Sequence, residues 1–162
     1  MRRLLANPPA SDALAVDAWL EEHTAQQTIA AFAALPGEVD LMDVITRHKE
    51  RRWVFPRVEG DELCFHAIGN PATDLTSGAF GVREPSAALP VVEIAQIDAF
   101  FGPGLAVDAC GGRLGRGKGF YDRMLAKARS DALKIGICFQ AQRVDDTFPE
   151  PHDIAMDGVI FC

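Results

Sequence analysis

Residues 113–123 read Arg-Leu-Gly-Arg-Gly-Lys-Gly-Phe-Tyr-Asp-Arg, and no other stretch of the chain concentrates as much chemistry. Gly115, Gly117 and Gly119 alternate with Arg116 and Lys118. Glycines at every second position let successive backbone N–H groups turn toward one point without Cβ interference. The two cations add full positive charges to that ring of donors. Such a loop suits anion binding, a polyphosphate above all. Asp122 follows the aromatic pair Phe120-Tyr121 and is placed to hold the cation that travels with a nucleotide. The plain alternative is a flexible, solvated turn whose charges are incidental.

The run from Gly112 to Lys118 fits G-x-x-x-x-G-K, but Gly119 stands where a Walker loop needs Ser or Thr for magnesium. Gly115, Gly117 and Phe120 fail the dinucleotide fingerprint, which requires a third small residue further on. The loop is therefore not a standard Walker loop. Its neighbours favour an anion site over the solvated turn. Residues 97–107 are an apolar run ending at Asp108, and residues 120–128 read as a helix. A loop between a buried strand and a helix start is where α/β proteins bind phosphates.

The remaining elements must position that loop. Ser11 can cap a first helix whose apolar side is Leu14, Val16, Trp19 and Leu20, reaching about His23. Residues 28–35 read as a buried strand, although their alanines also suit a helix. Pro36-Gly37 breaks the run, and Asp40 can cap a second helix with Leu41, Val44, Ile45 and His48 at helical spacing. The basic run over residues 47–52 reads as a solvated face at a helix end, where cations offset the dipole. Trp53-Val54-Phe55 reads as a short strand closed by Pro56, and residues 63–68 alternate like a half-exposed strand. Residues 69–93 are rich in Pro, Gly, Ser and Thr and read as an extended connection, with no sign of a second domain. Residues 134–139 and 158–161 are the last apolar strands. The recurring strand–helix–strand order predicts a single three-layer α/β domain over residues 1–162, with a mainly parallel central sheet covered by helices.

Composition bounds the function. The 162 residues suffice for one domain with a core, and 48% hydrophobic with 24% charged residues is ordinary for a globular chain. A net charge of −7 argues against non-specific nucleic-acid binding, so an anion site must be a local positive patch. Arg113, Arg116, Lys118 and Arg123 supply one. No apolar stretch is long enough to span a bilayer, and Pro8-Pro9 interrupts any signal-like start. Cys64, Cys110, Cys138 and Cys162 form no Cys-x-x-Cys pair. Cys64 and Cys138 read as buried strand thiols, Cys110 as an accessible one beside the loop, and all four fit a reducing, cytoplasmic setting.

Taken together, these residues resemble a known family. Pro103-Gly104-Leu105-Ala106-Val107-Asp108, then Gly111, then residues 113–123 resemble the signature of the 5-formyltetrahydrofolate cyclo-ligases, also called 5,10-methenyltetrahydrofolate synthetases. Other pieces fall in the family's order. They are Glu38, Phe55-Pro56-Arg57, Gly81-Val82-Arg83-Glu84-Pro85, Phe139 with Gln142, His152-Asp153, and Asp157-Gly158-Val159-Ile160. The resemblance runs from about Thr28 to the C-terminus.

The resemblance implies ATP-dependent, magnesium-requiring closure of 5-formyltetrahydrofolate to 5,10-methenyltetrahydrofolate, with release of ADP and phosphate. It implies that Arg113, Leu114, Gly115, Arg116, Gly117, Lys118, Gly119, Phe120 and Tyr121 bind ATP, and that Arg116, Lys118 and Tyr121 take part in catalysis. Arg116 to Phe120 also meet the folate, together with Glu38, Ala33, Phe55, Pro56 and Arg57. Asp122 and Asp153 match the magnesium-binding acids. Each also has a simpler reading: Asp122 as a first-turn helix acid, Asp153 as a turn residue, Glu38 as a solvated acid near the second helix, Phe55 as core. Arg113 either anchors the nucleotide or orders the loop. The expected partner is the small-molecule folate, with or without a polyglutamate tail, and a monomer with no nucleic-acid or membrane partner is expected.

The chain departs from the family pattern at three places. Phe120 replaces the usual first Tyr, Ala33 stands where a larger apolar contact is common, and the basic first helix is shortened, with Arg2 and Arg3 as its remnant. The shortened start motivates a rival reading, a catalytically weak homologue that binds folate or nucleotide without turnover. A second rival is an unrelated sugar-phosphate or nucleotide enzyme with a convergent loop. Glu38, Phe55-Pro56 and Tyr121 speak against the second, because sugars need no aryl pocket.

Overall fold

The computed structural model describes residues 13–162. In chain order these form α1 (Leu14–Glu22), β1 (Thr28–Ala30), α2 (Met42–Arg47), β2 (Arg52–Glu59), β3 (Glu62–Ala67), α3 (Pro71–Asp74), β4 (Leu75–Ser77), β5 (Arg83–Pro85), β6 (Val91–Val92), β7 (Ala99–Pro103), β8 (Ala106–Val107), β9 (Arg113–Leu114), α4 (Phe120–Leu125), β10 (Leu133–Cys138) and β11 (Gly158–Phe161), with short 3₁₀ turns between some of them. Among the described residues, seven strands make one sheet in the order β11-β10-β7-β1-β2-β3-β6. The pairings from β11 to β2 are parallel, and β2-β3 and β3-β6 are antiparallel. The sheet is mainly parallel, as the strand–helix–strand order predicts.

Strand β7 shows why the core forms where it does. Its sequence Ala-Phe-Phe-Gly-Pro is apolar throughout, the pattern of a parallel strand covered on both faces. Alternation sends Phe101 to one face and Phe100 to the other. Phe101 meets Trp19 edge-on, with ring centroids 5.3 Å apart, within the layer where Val16, Leu20, Val44 and Ile45 of α1 and α2 pack. Phe100 meets Phe65 at 6.0 Å in the layer where Met124 and Leu125 of α4 pack. Helix, sheet and helix form the three layers.

Several sequence expectations need correction. Ser11, the expected cap, lies outside the described residues, as do Arg2 and Arg3. Leu14 is exposed, so the buried side of α1 is Val16 and Leu20 with half-buried Trp19. Only residues 28–30 of the 28–35 run are strand, although burial continues through Ala33. Pro56 does not close β2, which continues to Glu59. Strand β1 covers β2 only as far as Val54, so the proline's missing N–H falls where one edge of β2 is free. The run 97–107 is two strands, β7 and β8. Residues 69–93 carry α3, the β4-β5 ribbon and the edge strand β6.

The basic run 47–52 is not solvated throughout. Arg51 is 8% exposed, and its guanidinium donates to the carbonyls of Leu20, His23 and Gln26 at 2.7, 3.1 and 2.6 Å. It closes the C-terminal end of α1 and the link into β1, where helix carbonyls are left without intrahelical partners. Asp40 is not the cap expected of it: Leu41 takes the N-cap position of α2 with no side-chain cap, and the Asp40 carboxylate, one residue earlier, accepts Met42 N–H at 3.0 Å.

Candidate active site

The loop after β9 is built from below by Asp108 and Arg113. Asp108 is buried at the end of β8. One carboxylate oxygen accepts the backbone N–H groups of Cys110 and Gly112, both at 2.9 Å; the other accepts Thr147 Oγ1 at 2.6 Å and Thr147 N–H at 3.0 Å. These bonds, the Thr147 hydroxyl first, hold its carboxyl below the usual range. Arg113 has a side chain only 4% exposed. It donates to Pro103 O at 3.2 Å, faces Asp122 at 3.5 Å, and lies over the Tyr121 ring at 5.2 Å. Of the two roles open to Arg113, these partners, Pro103, Asp122 and Tyr121, belong to the loop's own scaffold. Above this base, Gly117 and Gly119 take φ of +82° and +66°, left-handed conformations that favour glycine. Arg123 fastens the far side, donating to Lys118 O at 3.0 Å and to Asp61 O at 2.9 Å.

A cavity of about 970 Å³ opens beside the loop. It lies where β1 and β7 end, the edge at which parallel sheets hold ligands. Its floor is apolar, from Phe32, Ala33, Pro56, Val58 and Leu63. Its roof is the loop itself, with Arg113, Arg116, Lys118 and Arg123. Acids line the cavity too: Glu38, Glu84, Asp122, Glu150 and Asp153. A smaller hollow of about 370 Å³ shares Arg113, Glu150 and Asp153 with it.

Most residues singled out in the sequence meet here. Arg113, Leu114, Gly115, Arg116, Gly117, Lys118, Gly119, Phe120, Tyr121 and Asp122 all line the cavity, as do Ala33, Glu38, Pro56 and Asp153. Glu38 Oε1 lies 3.1 Å from both Nε and Nη2 of Arg116, and Oε2 accepts Leu35 N–H at 2.9 Å. Glu38 is therefore not a solvated acid; its side chain is 8% exposed. Lys118 extends over the Phe80 ring, 4.3 Å from its centroid. Burial first, then the Glu38 carboxylate, pushes the Tyr121 phenol far above its ordinary value, so it stays protonated.

Two expected folate residues are not brought to the cavity. Phe55 is fully buried in the α1/α2 layer, so its simpler reading as core is the one observed. Arg57 points toward Pro85 O at 3.2 Å and Glu84 at 3.7 Å. Strand alternation explains both: with Pro56 and Val58 turned to the cavity, residues 55 and 57 face the other way. Sequence reasoning missed Phe32, Val58, Leu63, Phe80 and Phe148 as lining residues. The alternation of β2 was the available signal for Val58. Phe80 and Phe148 carry φ of +57° and +52°, rare for aromatic residues and invisible in sequence. Gln142, matched only as part of a short element, is a buried tie: it donates to Gly104 O at 2.8 Å and to Gly37 O at 3.3 Å, joining the loop that carries Glu38 to the end of β7.

Asp122 and Asp153 fit a magnesium site by their donor set. Asp122 Oδ1 accepts Ile154 N–H at 3.1 Å, which draws the 150–154 segment, with Asp153, against the start of α4. Asp153 Oδ2 accepts Glu150 N–H at 2.7 Å. Their other oxygens stand 3.5 Å from Arg113 and from His152 respectively, contacts that a hard cation, which takes one or two carboxylates alongside phosphate oxygens, would replace. Among the described residues, no third Asp, Glu, His or Cys joins them in a closed cluster.

This is an α/β protein with a glycine-rich, cationic anion loop at the carboxyl edge of its sheet. The sequence model of the 5-formyltetrahydrofolate cyclo-ligase family matches residues 2–162, and the chain belongs to that family. The match takes in the first residues as well, further than the resemblance from Thr28 onward. The chain is similar to the 5-formyltetrahydrofolate cyclo-ligase of Mycolicibacterium smegmatis, 44% identical over 87 residues that span 53% of this chain and 45% of that protein. It is 30% identical to the Mycoplasma pneumoniae cyclo-ligase over 138 residues, 83% of this chain and 72% of the relative. Its fold is similar to the NMR structure of Aquifex aeolicus 5,10-methenyltetrahydrofolate synthetase, with a TM-score of 0.78 and 31% identity, covering 99% of this chain and 78% of that one.

Proposed function

We propose that the chain closes 5-formyltetrahydrofolate to 5,10-methenyltetrahydrofolate at the expense of ATP. The observation that carries this reading is a single cavity with an apolar floor, a buried carboxylate at Glu38 and a cationic glycine loop. An aryl ring system with polar N–H groups fits the floor and Glu38; a triphosphate fits the loop. The volume is at the upper end for a ligand pocket, as two adjacent substrates require.

The reaction asks for positioning and charge neutralisation. The formyl oxygen attacks the γ-phosphorus of ATP, and the P–O bond to ADP breaks. N10 then attacks the formyl carbon, its proton is lost, and the C–O bond breaks to release phosphate. Glu38 accepts hydrogen bonds from the pterin, and Pro56, Ala33 and the neighbouring apolar residues exclude water from it. Backbone N–H groups of Gly115, Gly117 and Gly119 cradle phosphate oxygens. Lys118 and Arg116 offset the charge that develops on the transferring group. Tyr121 donates from its protonated phenol. Asp122 and Asp153 would hold magnesium, which supplies charge neutralisation on the phosphates when bound.

In this reading residues 1–162 are one cyclo-ligase domain, a cytoplasmic monomer acting on a small folate with or without its polyglutamate tail and having no nucleic-acid or membrane partner. No helix among the described residues is long and apolar enough to cross a membrane. The test is the appearance of methenyltetrahydrofolate absorbance from 5-formyltetrahydrofolate with magnesium, with and without ATP. ATP-dependent appearance supports the reading. Folate binding by calorimetry with no product at millimolar nucleotide overturns it in favour of a binding protein without turnover.

A further inference from the structure

The cavity leaves one group of ligating side chains unused, on the opposite face of the β2-β3 hairpin. Cys64 and His66 occupy alternate positions of β3, so both project from one face. The register pairs Arg57 with Cys64, Phe55 with His66 and Glu59 with Glu62, which sets Glu59 on that same face. The hairpin turns through Gly60 and Asp61, with Gly60 at φ +64°. A carboxylate oxygen of Glu59, Cys64 Sγ and a ring nitrogen of His66 all lie within 4.8 Å of one another.

His66 is the member that calls for an explanation. The residue is 1% exposed. Its Nδ1 lies 2.8 Å from Leu89 O, which makes Nδ1 the N–H donor and leaves a lone pair on Nε2. Nε2 is buried and has no hydrogen-bond partner. Buried polar atoms are nearly always satisfied. An imidazole whose one nitrogen donates to a backbone carbonyl while the other stays free is oriented as metal-ligating histidines are. Cys64 is half-buried, and burial first, then Glu59 and Glu93, raises its thiol above the ordinary value, so it is neutral until a cation displaces its proton. Arg57 is anchored by Pro85 O and stands 3.7 Å from the carboxylate of Glu59, whose side chain is 53% exposed.

We propose that Glu59, Cys64 and His66 bind a divalent transition metal of the zinc class, separate from the cation at Asp122 and Asp153. One sulfur, one imidazole nitrogen and one carboxylate oxygen suit a tetrahedral ion whose fourth ligand is water. Magnesium and calcium take oxygen ligands and do not suit the thiolate. Metal bonds of about 2.0–2.3 Å require the ligand atoms to draw together by roughly an ångström, within reach of the exposed Glu59 side chain. The ion would clip the hairpin whose other face, through Pro56, Val58 and Leu63, forms the cavity floor.

The test uses the purified full-length chain, first freed of metal and titrated with Co²⁺, then with Zn²⁺ as competitor. The expected result is a thiolate-to-cobalt charge-transfer band with tetrahedral d–d bands, saturating at one ion per chain and quenched by zinc. C64S should abolish the charge-transfer band. E59Q, at an exposed position that leaves folding intact, should weaken cobalt binding about tenfold or more while the band survives at saturation. C110S, which removes the exposed thiol beside the glycine loop, should change nothing. No charge-transfer band in the native chain overturns the proposal. So does a band that persists in C64S, one that vanishes in C110S, or cobalt affinity unaltered by E59Q.

Discussion

Glu38 and Arg116, 78 residues apart in sequence, share an oxygen: Glu38 Oε1 stands 3.1 Å from two nitrogens of the Arg116 guanidinium. The carboxylate assigned to the pterin thus also holds a cation assigned to the phosphates. Arg116 is half-exposed, so the pair contributes under about 1 kcal/mol to stability in the free protein. Glu38→Gln should raise the folate KM by about tenfold, through loss of charge-assisted acceptance. The same change should leave ATP binding no weaker, because it releases Arg116 toward the triphosphate. Steady-state kinetics against each substrate checks this; equal weakening of both would mark Glu38 as a structural brace.

Lys118 is exposed at the loop tip, and among the described residues no carboxylate pairs with it. Lys118→Ala should lower kcat by roughly a hundredfold, the usual loss for one transition-state donor. The melting temperature should not move, since the ammonium contributes only a contact with the Phe80 ring. Turnover near that of the native protein would remove Lys118 from the chemistry.

Arg51 should behave in the opposite way. Its guanidinium satisfies carbonyls at the end of α1 and before β1, far from the cavity. Arg51→Met should cost about 3 kcal/mol, measured by urea denaturation, with kcat unchanged at temperatures where the variant remains folded.

Asp108 gives the acid limb of stability a specific source. Its folded pKa is depressed from 3.8 by the Thr147 hydroxyl and by backbone N–H groups. The stabilisation from those bonds is therefore complete above the ordinary carboxylate range and disappears as pH falls through the lower folded value. Asp108→Asn should melt well below the native protein at neutral pH. The two melting temperatures should converge in strong acid. A gap that stays constant with pH would show that packing of the side chain, and not its charge, holds the loop.

How much was legible in the sequence follows from where each signal lives. The glycine loop announces itself because its need for φ > 0 and for cations is written in residue types; Gly117 and Gly119 fulfil it. Strands β10 and β11 are apolar runs bounded by turns, and they fold nearly where the pattern puts them. The family resemblance takes Phe55, Pro56 and Arg57 as one block, although a strand cannot present three successive side chains to one ligand. Pro56 looked like a strand end because only tertiary pairing shows that β1 leaves that edge of β2 uncovered. Arg51 reads as solvated in sequence because the carbonyls it meets belong to the end of α1 and the link after it, 25 to 31 residues earlier. Phe80 and Phe148 reach the cavity through backbone conformations that residue type argues against.

The Arg123 guanidinium, which grips Lys118 O with one nitrogen and Asp61 O with another, has a practical consequence for protein engineering. Exposed hairpin tips are ordinarily the sites where extra residues, affinity tags or a break in the chain are accepted. The tip at Gly60-Asp61 is an exception. Lengthening it would pull the Asp61 carbonyl from Arg123 and slacken the loop that carries Lys118. A graft there should leave a folded protein with an impaired loop.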